Sequence, residues 1–371
     1  MKHYDVVIIG AGIAGASIAS EIGADRSVLL LEAEDYPGYH STGRSAAFWT
    51  ESYGGPLVQP LTSASREFLE NPPPDFSQNS FLSPRGAVNI AQDHEKALAD
   101  QFLADFADNG LTMERWGWDQ TKSLVPNIKS VWNHTIYEPD CCDIDVAALH
   151  AAYLKDAKRK AVDLICRTRI TQIEKDDRGW LLSDGDESYH ATILVNAAGA
   201  WVDSIARMAD AKPIGIQPLI RNMVQIETEP PSTSAMPLVV GLDGSFYFKP
   251  EAGGGYWLSP HDETPTEATD VAPDELSVAI AIDRFEKVMD VEVKRVTGKW
   301  AGLRSFAPDR LPVVGFDAAV ADFFWFAGQG GFGIQTAPAA AKLARSVLLG
   351  QPVDESLQSV DASLYAASRF S

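Results

Sequence analysis

Three glycines and one acid near the start of the chain have the types and spacing to hold a dinucleotide. Gly10, Gly12 and Gly15 fall in the order GxGxxG, and Glu32 follows about twenty residues on. Gly10 allows a tight turn, Gly12 lets a pyrophosphate approach the backbone, and Gly15 lets a helix pack closely on a strand. Glu32 stands where an acid accepts hydrogen bonds from a ribose diol. A second glycine-rich run, Gly328-Gln329-Gly330-Gly331-Phe332-Gly333, comes near the end of the chain. The first motif alone specifies a dinucleotide with an ADP half and leaves NAD and FAD equally open.

Such residues work only if a strand and a helix present them. Residues 4–9 are β-branched and apolar, as a strand buried on both faces should be. Residues 27–31 read as the next strand, ending at Glu32, and a loop and helix follow up to Ala47. Residues 95–109 read as an amphipathic helix with Leu98, Phe102, Leu103 and Phe106 on one face. The α/β pattern returns near Asp145, with a helix over 146–160 and strands over 163–168, 179–183 and 191–196. Residues 213–295 read as alternating β structure with turns such as Leu242-Asp243-Gly244. A last strand over 323–327 feeds the second glycine-rich run, which opens an alanine-rich helix reaching Leu349. The expected fold is α/β (α+β overall): a Rossmann-like domain with an inserted antiparallel β-rich domain. The expected division is 1–47, 139–213 and 298–371 for the cofactor, with 48–138 and 214–297 for the substrate.

The 371 residues can bury a large core. No apolar stretch approaches the length that spans a bilayer, and the start of the chain lacks a credible signal-peptide cleavage site. With 31 basic and 51 acidic residues the net charge is −20, which disfavours nucleic acid and anionic lipid as partners. Three cysteines without metal-type spacing predict buried thiols, no metal site and a cytoplasmic location.

Four runs carry a resemblance to a known family. They are Pro37-Gly38-Tyr39-His40-Ser41-Thr42-Gly43-Arg44-Ser45-Ala46-Ala47, Leu194-Val195-Asn196-Ala197-Ala198-Gly199-Ala200-Trp201, Trp300-Ala301-Gly302-Leu303-Arg304-Ser305-Phe306 and Gly330-Gly331-Phe332-Gly333-Ile334-Gln335-Thr336. In that order they resemble the FAD-dependent D-amino-acid oxidase and glycine oxidase superfamily, and more narrowly bacterial D-arginine dehydrogenases. The resemblance implies FAD, held without a covalent bond even though His40 is a conceivable attachment point. Its implied contacts are Gly10, Gly12, Ile13, Ala14, Gly15, Glu32 and Ala33, then His40, Ser41, Thr42, Arg44, Ser45, Ala46 and Ala47. Ile170 would offer its backbone to the adenine, with Ala198, Gly199 and Trp201 beside the adenosine half. Arg304, Gly330, Gly331, Phe332, Gly333, Ile334 and Gln335 complete the set. The helix that follows Gly330 would stabilise charge on the reduced flavin.

The resemblance also implies a substrate site. Arg304 matches the arginine that clamps a carboxylate, a task its guanidinium fork suits. Arg221 matches a second arginine, and Tyr53 and Tyr247 match hydroxyl donors, with Gly331 adjoining. Two positions depart from D-arginine dehydrogenase. Phe48 stands for a histidine, and Ala87 stands for the glutamate that pairs with the substrate guanidinium. The implied activity is oxidative deamination of a D-amino acid with a small or apolar side chain, by hydride transfer to flavin N5. Glu51 is the one nearby carboxylate able to reverse that preference. The alternatives are oxidation of an N-methyl amino acid or a 2-hydroxy acid, and a non-catalytic flavin-binding redox sensor. The implied partners are the amino acid and an electron acceptor (quinone, other carrier or O2), and dehydrogenase is favoured over oxidase.

Overall fold

In the computed structural model, which describes residues 2–371, segments from the beginning, middle and end of the chain build one eight-stranded sheet. Its central strand, His3–Ile9, lies parallel between Val28–Leu31 and Ser188–Asn196. Both faces of this region are covered, so the strands read as near-continuous apolar runs; Val6, Val7 and Ile8 are fully buried. Asp163–Ile165 extends the sheet beyond Val28–Leu31, and Phe323–Ala327 pairs with the end of Ser188–Asn196. Helices Ile13–Ile22, Val146–Arg159 and Ala337–Leu349 pack together on one face.

A second, nine-stranded sheet is built mainly on two long antiparallel strands, Gln217–Glu229 and Glu292–Phe306, paired along nearly their whole length. Position 298 lies inside the second of these. Phe48–Trp49, Leu82–Pro84 and Cys142–Ile144 form a small third sheet between the two larger ones in sequence. No helix among the described residues is long and apolar enough to cross a membrane.

Several expected elements differ. Residues 37–44 form consecutive turns and no helix. The 95–109 helix is Lys96–Asp105, preceded by a 3-10 turn at Asp93–Glu95. Its buried residue is Ala99, while Leu98 is exposed, because the helix covers the strands Ala87–Ala91 and His134–Glu138 with a narrow face. The 213–295 stretch contains a 14-residue helix, Glu275–Val288, capped by the Asp274 carboxylate, which accepts from the Ser277 N–H. The helix after the last strand starts at Ala337; residues 331–336 are turns, held by Phe332 N–H to the Gln329 carbonyl and Thr336 N–H to that of Phe332.

Candidate active site

The glycine motif folds as its spacing requires. Gly10 has φ +100°, and a Cβ there would stand 2.6 Å from the Ala197 carbonyl oxygen. A Cβ on Gly15 would lie 1.8 Å from the Gly10 carbonyl oxygen, so the helix Ile13–Ile22 sits directly against the turn. The Glu32 carboxylate accepts from the N–H groups of Ala11 (2.9 Å) and Glu34 (3.0 Å), tying the second strand to the turn. His150 bonds the Ala11 carbonyl through Nε2 at 2.9 Å, and burial pushes its pKa down, which keeps it a neutral donor. Thr42 accepts from the Ile13 N–H at 3.0 Å.

These groups open onto a cavity of about 460 Å³. Gly10, Gly12, Glu32, Ala33, His40, Ser41 and Thr42 line it, as do Ile170, Ala198, Gly199 and Trp201. His40 is wedged between the rings of Tyr39 and Trp201 and bonds Glu34 at 3.0 Å. The cavity runs on past Gly12, Ser41 and Thr42 into a second, of about 110 Å³, lined by Ile13, Ala14, Ser45, Arg304, Gly330, Gly331, Gly333 and Ile334. A third space, only about 20 Å³, follows between Ser45, Ala46, Ala47, Phe48, Tyr53, Tyr247, Arg304, Gly331 and Gln335. A continuous groove with side chains missing at its glycines, and with a helix N-terminus bearing no acid in its first turn, fits an extended dinucleotide.

Some expected residues stand elsewhere. Gly15 lies beneath the turn, and Phe332 faces a separate cavity of about 340 Å³. The Arg44 side chain points away from the groove, to the Ala301 carbonyl (3.1 Å) and the Asp270 carboxylate (2.6 Å). Gln335 spends its amide on the adjoining loop, accepting from the Thr50 N–H and donating to the Tyr53 carbonyl and Thr62 hydroxyl.

At the inner end, Arg304 is 7% exposed, and its guanidinium has no hydrogen-bond or ion-pair partner in the protein among the described residues. Arg221, 1% exposed, donates to the Asp262 carbonyl at 2.8 Å and pairs with Glu263 at 3.3 Å, but its Nη1 is buried without a partner. It lies near Tyr53 and Tyr247 and lines none of the three spaces described. The Tyr53 hydroxyl sits over Gly331, where a Cβ would meet it at 2.1 Å. Tyr53 also divides the 20 Å³ space from the 340 Å³ cavity.

The wall beside this end is apolar. Ala87 is 1% exposed and clusters with Ala46, Cys141, Met223, Leu238 and Tyr247, with Phe48, Val240, Trp257 and Trp300 packed against them. Glu51 is turned away to the Ser63 hydroxyl. Glu138, opposite Ala87 across the sheet, is aimed at the loop before Tyr53, accepting from Ser52 (2.8 Å), Thr50 (3.1 Å) and Asn89 (2.6 Å). Burial raises its pKa, against the pull of those hydrogen bonds.

One residue near this end was not anticipated. His261 sits at φ +50°, with its ring 5.6 Å from that of Tyr247 and 6.5 Å from that of Tyr53. Burial and the Arg221 charge lower its pKa to about 4. It follows Ser259-Pro260 at the end of the strand Tyr256–Ser259 with no motif around it, so nothing in the sequence marks it.

Fold and groove together define a flavin- or nicotinamide-type dinucleotide enzyme, and comparison with known proteins decides between them. The chain belongs to the DAO family of FAD dependent oxidoreductases, whose pattern matches residues 5–346. It is 25% identical to the hydrogen cyanide synthase subunit HcnC of Pseudomonas protegens over 422 aligned positions, covering all of this chain and 97% of that protein. Its fold is similar to that of L-proline dehydrogenase from P. horikoshii (TM-score 0.85, 20% identity, 100% and 98% of the chains). It is also similar to glycine oxidase from Geobacillus kaustophilus (TM-score 0.81, 19% identity, 98% and 99%). FAD is therefore the cofactor, and the chain is an FAD-dependent oxidoreductase.

Proposed function

We propose that this enzyme oxidises the Cα–N bond of a D-amino acid with a small or apolar side chain, giving the 2-oxo acid and ammonia after hydrolysis of the imino acid. The observation that carries this reading is Arg304, a nearly buried guanidinium without an anionic partner, beside the apolar ring of Phe48, with Ala87 in the buried apolar cluster behind it. Such a cation suits a bidentate carboxylate. The wall supports an uncharged side chain, since a guanidinium placed there would lose a charge-assisted pair worth about 1.5–3 kcal/mol. The D configuration rests on the resemblance of the four sequence runs to D-arginine dehydrogenases.

Bound FAD supplies the two-electron acceptor. The chain's own residues do the rest by holding and orienting. Arg304 fixes the carboxylate, the Tyr53 hydroxyl flanks it, and Arg221 adds positive potential nearby; Tyr247 contributes its ring, because its hydroxyl donates to Met223 Sδ at 3.1 Å instead. Phe48 and its neighbours exclude water from the reacting carbon. The same reading assigns the first sheet and its helices (1–47, 139–213, 298–371) to the cofactor and the remainder to the substrate.

The test is anaerobic flavin reduction across D- and L-amino acids, N-methyl amino acids and 2-hydroxy acids, then reoxidation with air to separate oxidase from dehydrogenase. The expected result is fastest bleaching by D-amino acids with small or apolar side chains. Highest kcat/KM with D-arginine or D-lysine would overturn the side-chain assignment. Fastest bleaching by an N-methyl amine or a hydroxy acid would overturn the reacting group.

A further inference from the structure

Tyr53 can flank a substrate carboxylate only if the segment that carries it is held in place. Its hydroxyl, without a hydrogen-bond partner in the protein among the described residues, does none of that holding. Gly54 and Gly55, which follow it, have no side chains to add a hold. We infer that Glu138 is the positioning residue for Tyr53, fixing the segment 50–52 so that the hydroxyl stays over Gly331; this rests on the amino-acid reading above.

The hydrogen bonds that reach this segment come from two sides. Gln335, in the turns before the helix Ala337–Leu349, takes the main chain, accepting from the Thr50 N–H at 3.2 Å and donating to the Tyr53 carbonyl at 3.1 Å. Glu138, the last residue of the strand His134–Glu138 in the nine-stranded sheet, takes the side chains. One carboxylate oxygen accepts from the Ser52 hydroxyl and the Asn89 amide, and the other accepts from the Thr50 hydroxyl. Three donors therefore converge on one group, and a carboxylate has the lone pairs to accept them all. Glu138 is 5% exposed, so an apolar side chain in its place would strand two hydroxyls and an amide away from water. Ser52 adjoins Tyr53 in the chain, which makes the Glu138 contacts the nearest side-chain anchors on its N-terminal side.

Two other roles compete for the same carboxylate. It could pair with a cationic substrate side chain, since Glu138 and Ala87 are directly opposite on neighbouring strands. Glu138 does not line the space bounded by Arg304, Phe48 and Tyr53, however, and turning toward it would break all three hydrogen bonds. It could also serve the fold alone, as a buried link between strand and loop. In that case its loss would weaken the protein without acting through Tyr53, and the two roles separate by whether substitutions at positions 138 and 53 act independently.

The experiment is a double-mutant cycle on the holoenzyme with Glu138→Leu and Tyr53→Phe. Each alone should raise KM for the amino acid about 10-fold, the worth of one hydrogen bond to a charged group, with a much smaller change in kcat. Together they should exceed either one by less than about 2-fold, because a displaced Tyr53 has no contact left to lose. Losses that multiply, or an unmoved KM in Glu138→Leu, overturn the assignment. Glu138→Gln should recover most of the affinity, since its oxygen can accept from Ser52 and Asn89 and its NH2 can donate to the Thr50 hydroxyl. A KM for D-arginine that rises in Glu138→Gln while that for D-alanine does not would show the carboxylate meeting substrate, and would overturn it too. Should Glu138→Leu fail to fold, Thr50→Val combined with Ser52→Ala removes the same bonds from the loop side and should give the same KM rise and the same cycle. Chymotrypsin supplies a readout independent of turnover: Glu138→Leu should be cut faster after the aromatic residues of 48–53 and nowhere else. Acceleration along the whole chain, or none, counts against the brace. If no amino acid reduces the wild-type flavin, the substrate reading has failed instead, and the proteolysis still reports on how Glu138 holds the segment.

Discussion

A guanidinium kept from water without an anion beside it is unfavourable, and Arg304 is such a group. Its presence is explained by what it binds rather than by what it does for the fold. Arg304→Met should therefore act in opposite directions on binding and stability. KM for the amino acid should rise about 100-fold or more, the worth of two charge-assisted hydrogen bonds. The melting temperature of the apoprotein should rise, because an unpaired charge is replaced by apolar surface. Steady-state kinetics and thermal unfolding check the two halves, and an unchanged KM would remove Arg304 from its role. Arg221 differs, since its bonds to Asp262 and Glu263 brace a strand-end as well as supplying charge. Arg304 was legible because a run of neighbours resembled known proteins, whereas His261 had no such company. Its place near the site arises from contacts with Gly244, Tyr53 and Tyr247, which lie 17, 208 and 14 residues away in sequence.

At the scale of elements, the cofactor groove depends on how closely one helix approaches one turn. Gly12→Ala and Gly15→Ala separate binding from folding. A Cβ at Gly12 meets only the Thr42 hydroxyl, at 3.1 Å, so the apoprotein should keep its stability while the pyrophosphate loses its approach. A Cβ at Gly15 collides with the Gly10 carbonyl, so both apoprotein stability and FAD content should fall. The ratio of flavin to protein absorbance and the melting curve of the apoprotein measure each. Equal apoprotein melting in the two variants would contradict this account of the turn. These glycines were readable because strand, turn and helix are local and each residue has one steric task. The helix Glu275–Val288 was missed: Val278, Ala281, Phe285 and Val288 stand at helical spacing behind an Asp274 cap, but inside a stretch dominated by strand patterns. Helix Gln59–Glu70 was not anticipated, although Pro60 opens it and Leu61, Phe68 and Leu69 share a face. Its buried face includes Thr62 and Ser65, polar residues whose partners, Gln335 and the Ala339 N–H, are more than 270 positions distant. The turns over 37–44 read as part of a loop and helix because their tertiary anchors, such as the Leu303 carbonyl that accepts from Ser41, are invisible locally.

For the whole molecule, acid brings two effects into competition. With a net charge of −20, protonating carboxylates toward the isoelectric point near 4.7 relieves repulsion and favours the fold. Against this, His261 and His150 are neutral when folded and take up protons when unfolded. The sign follows from their lowered pKa values: the unfolded chain binds the proton first, so stability is complete above the unfolded value and falls as pH drops below it. For His261 the window runs from about 6.5 down to about 4, and the loss over it is about 3 kcal/mol. Surface repulsion is spread over distances beyond the screening length at physiological salt, whereas a buried imidazole is hardly screened. The histidines should therefore prevail. The apoprotein's unfolding free energy should decline across that window, almost independently of salt, and His261→Asn should flatten much of the slope. Depressed carboxylates such as Asp143 and Asp156 add their loss only at still lower pH. Denaturant unfolding of both proteins at several pH values measures the slopes. A stability that climbs steadily toward the isoelectric point would mean that repulsion governs this chain and that the imidazole is not held neutral by the fold.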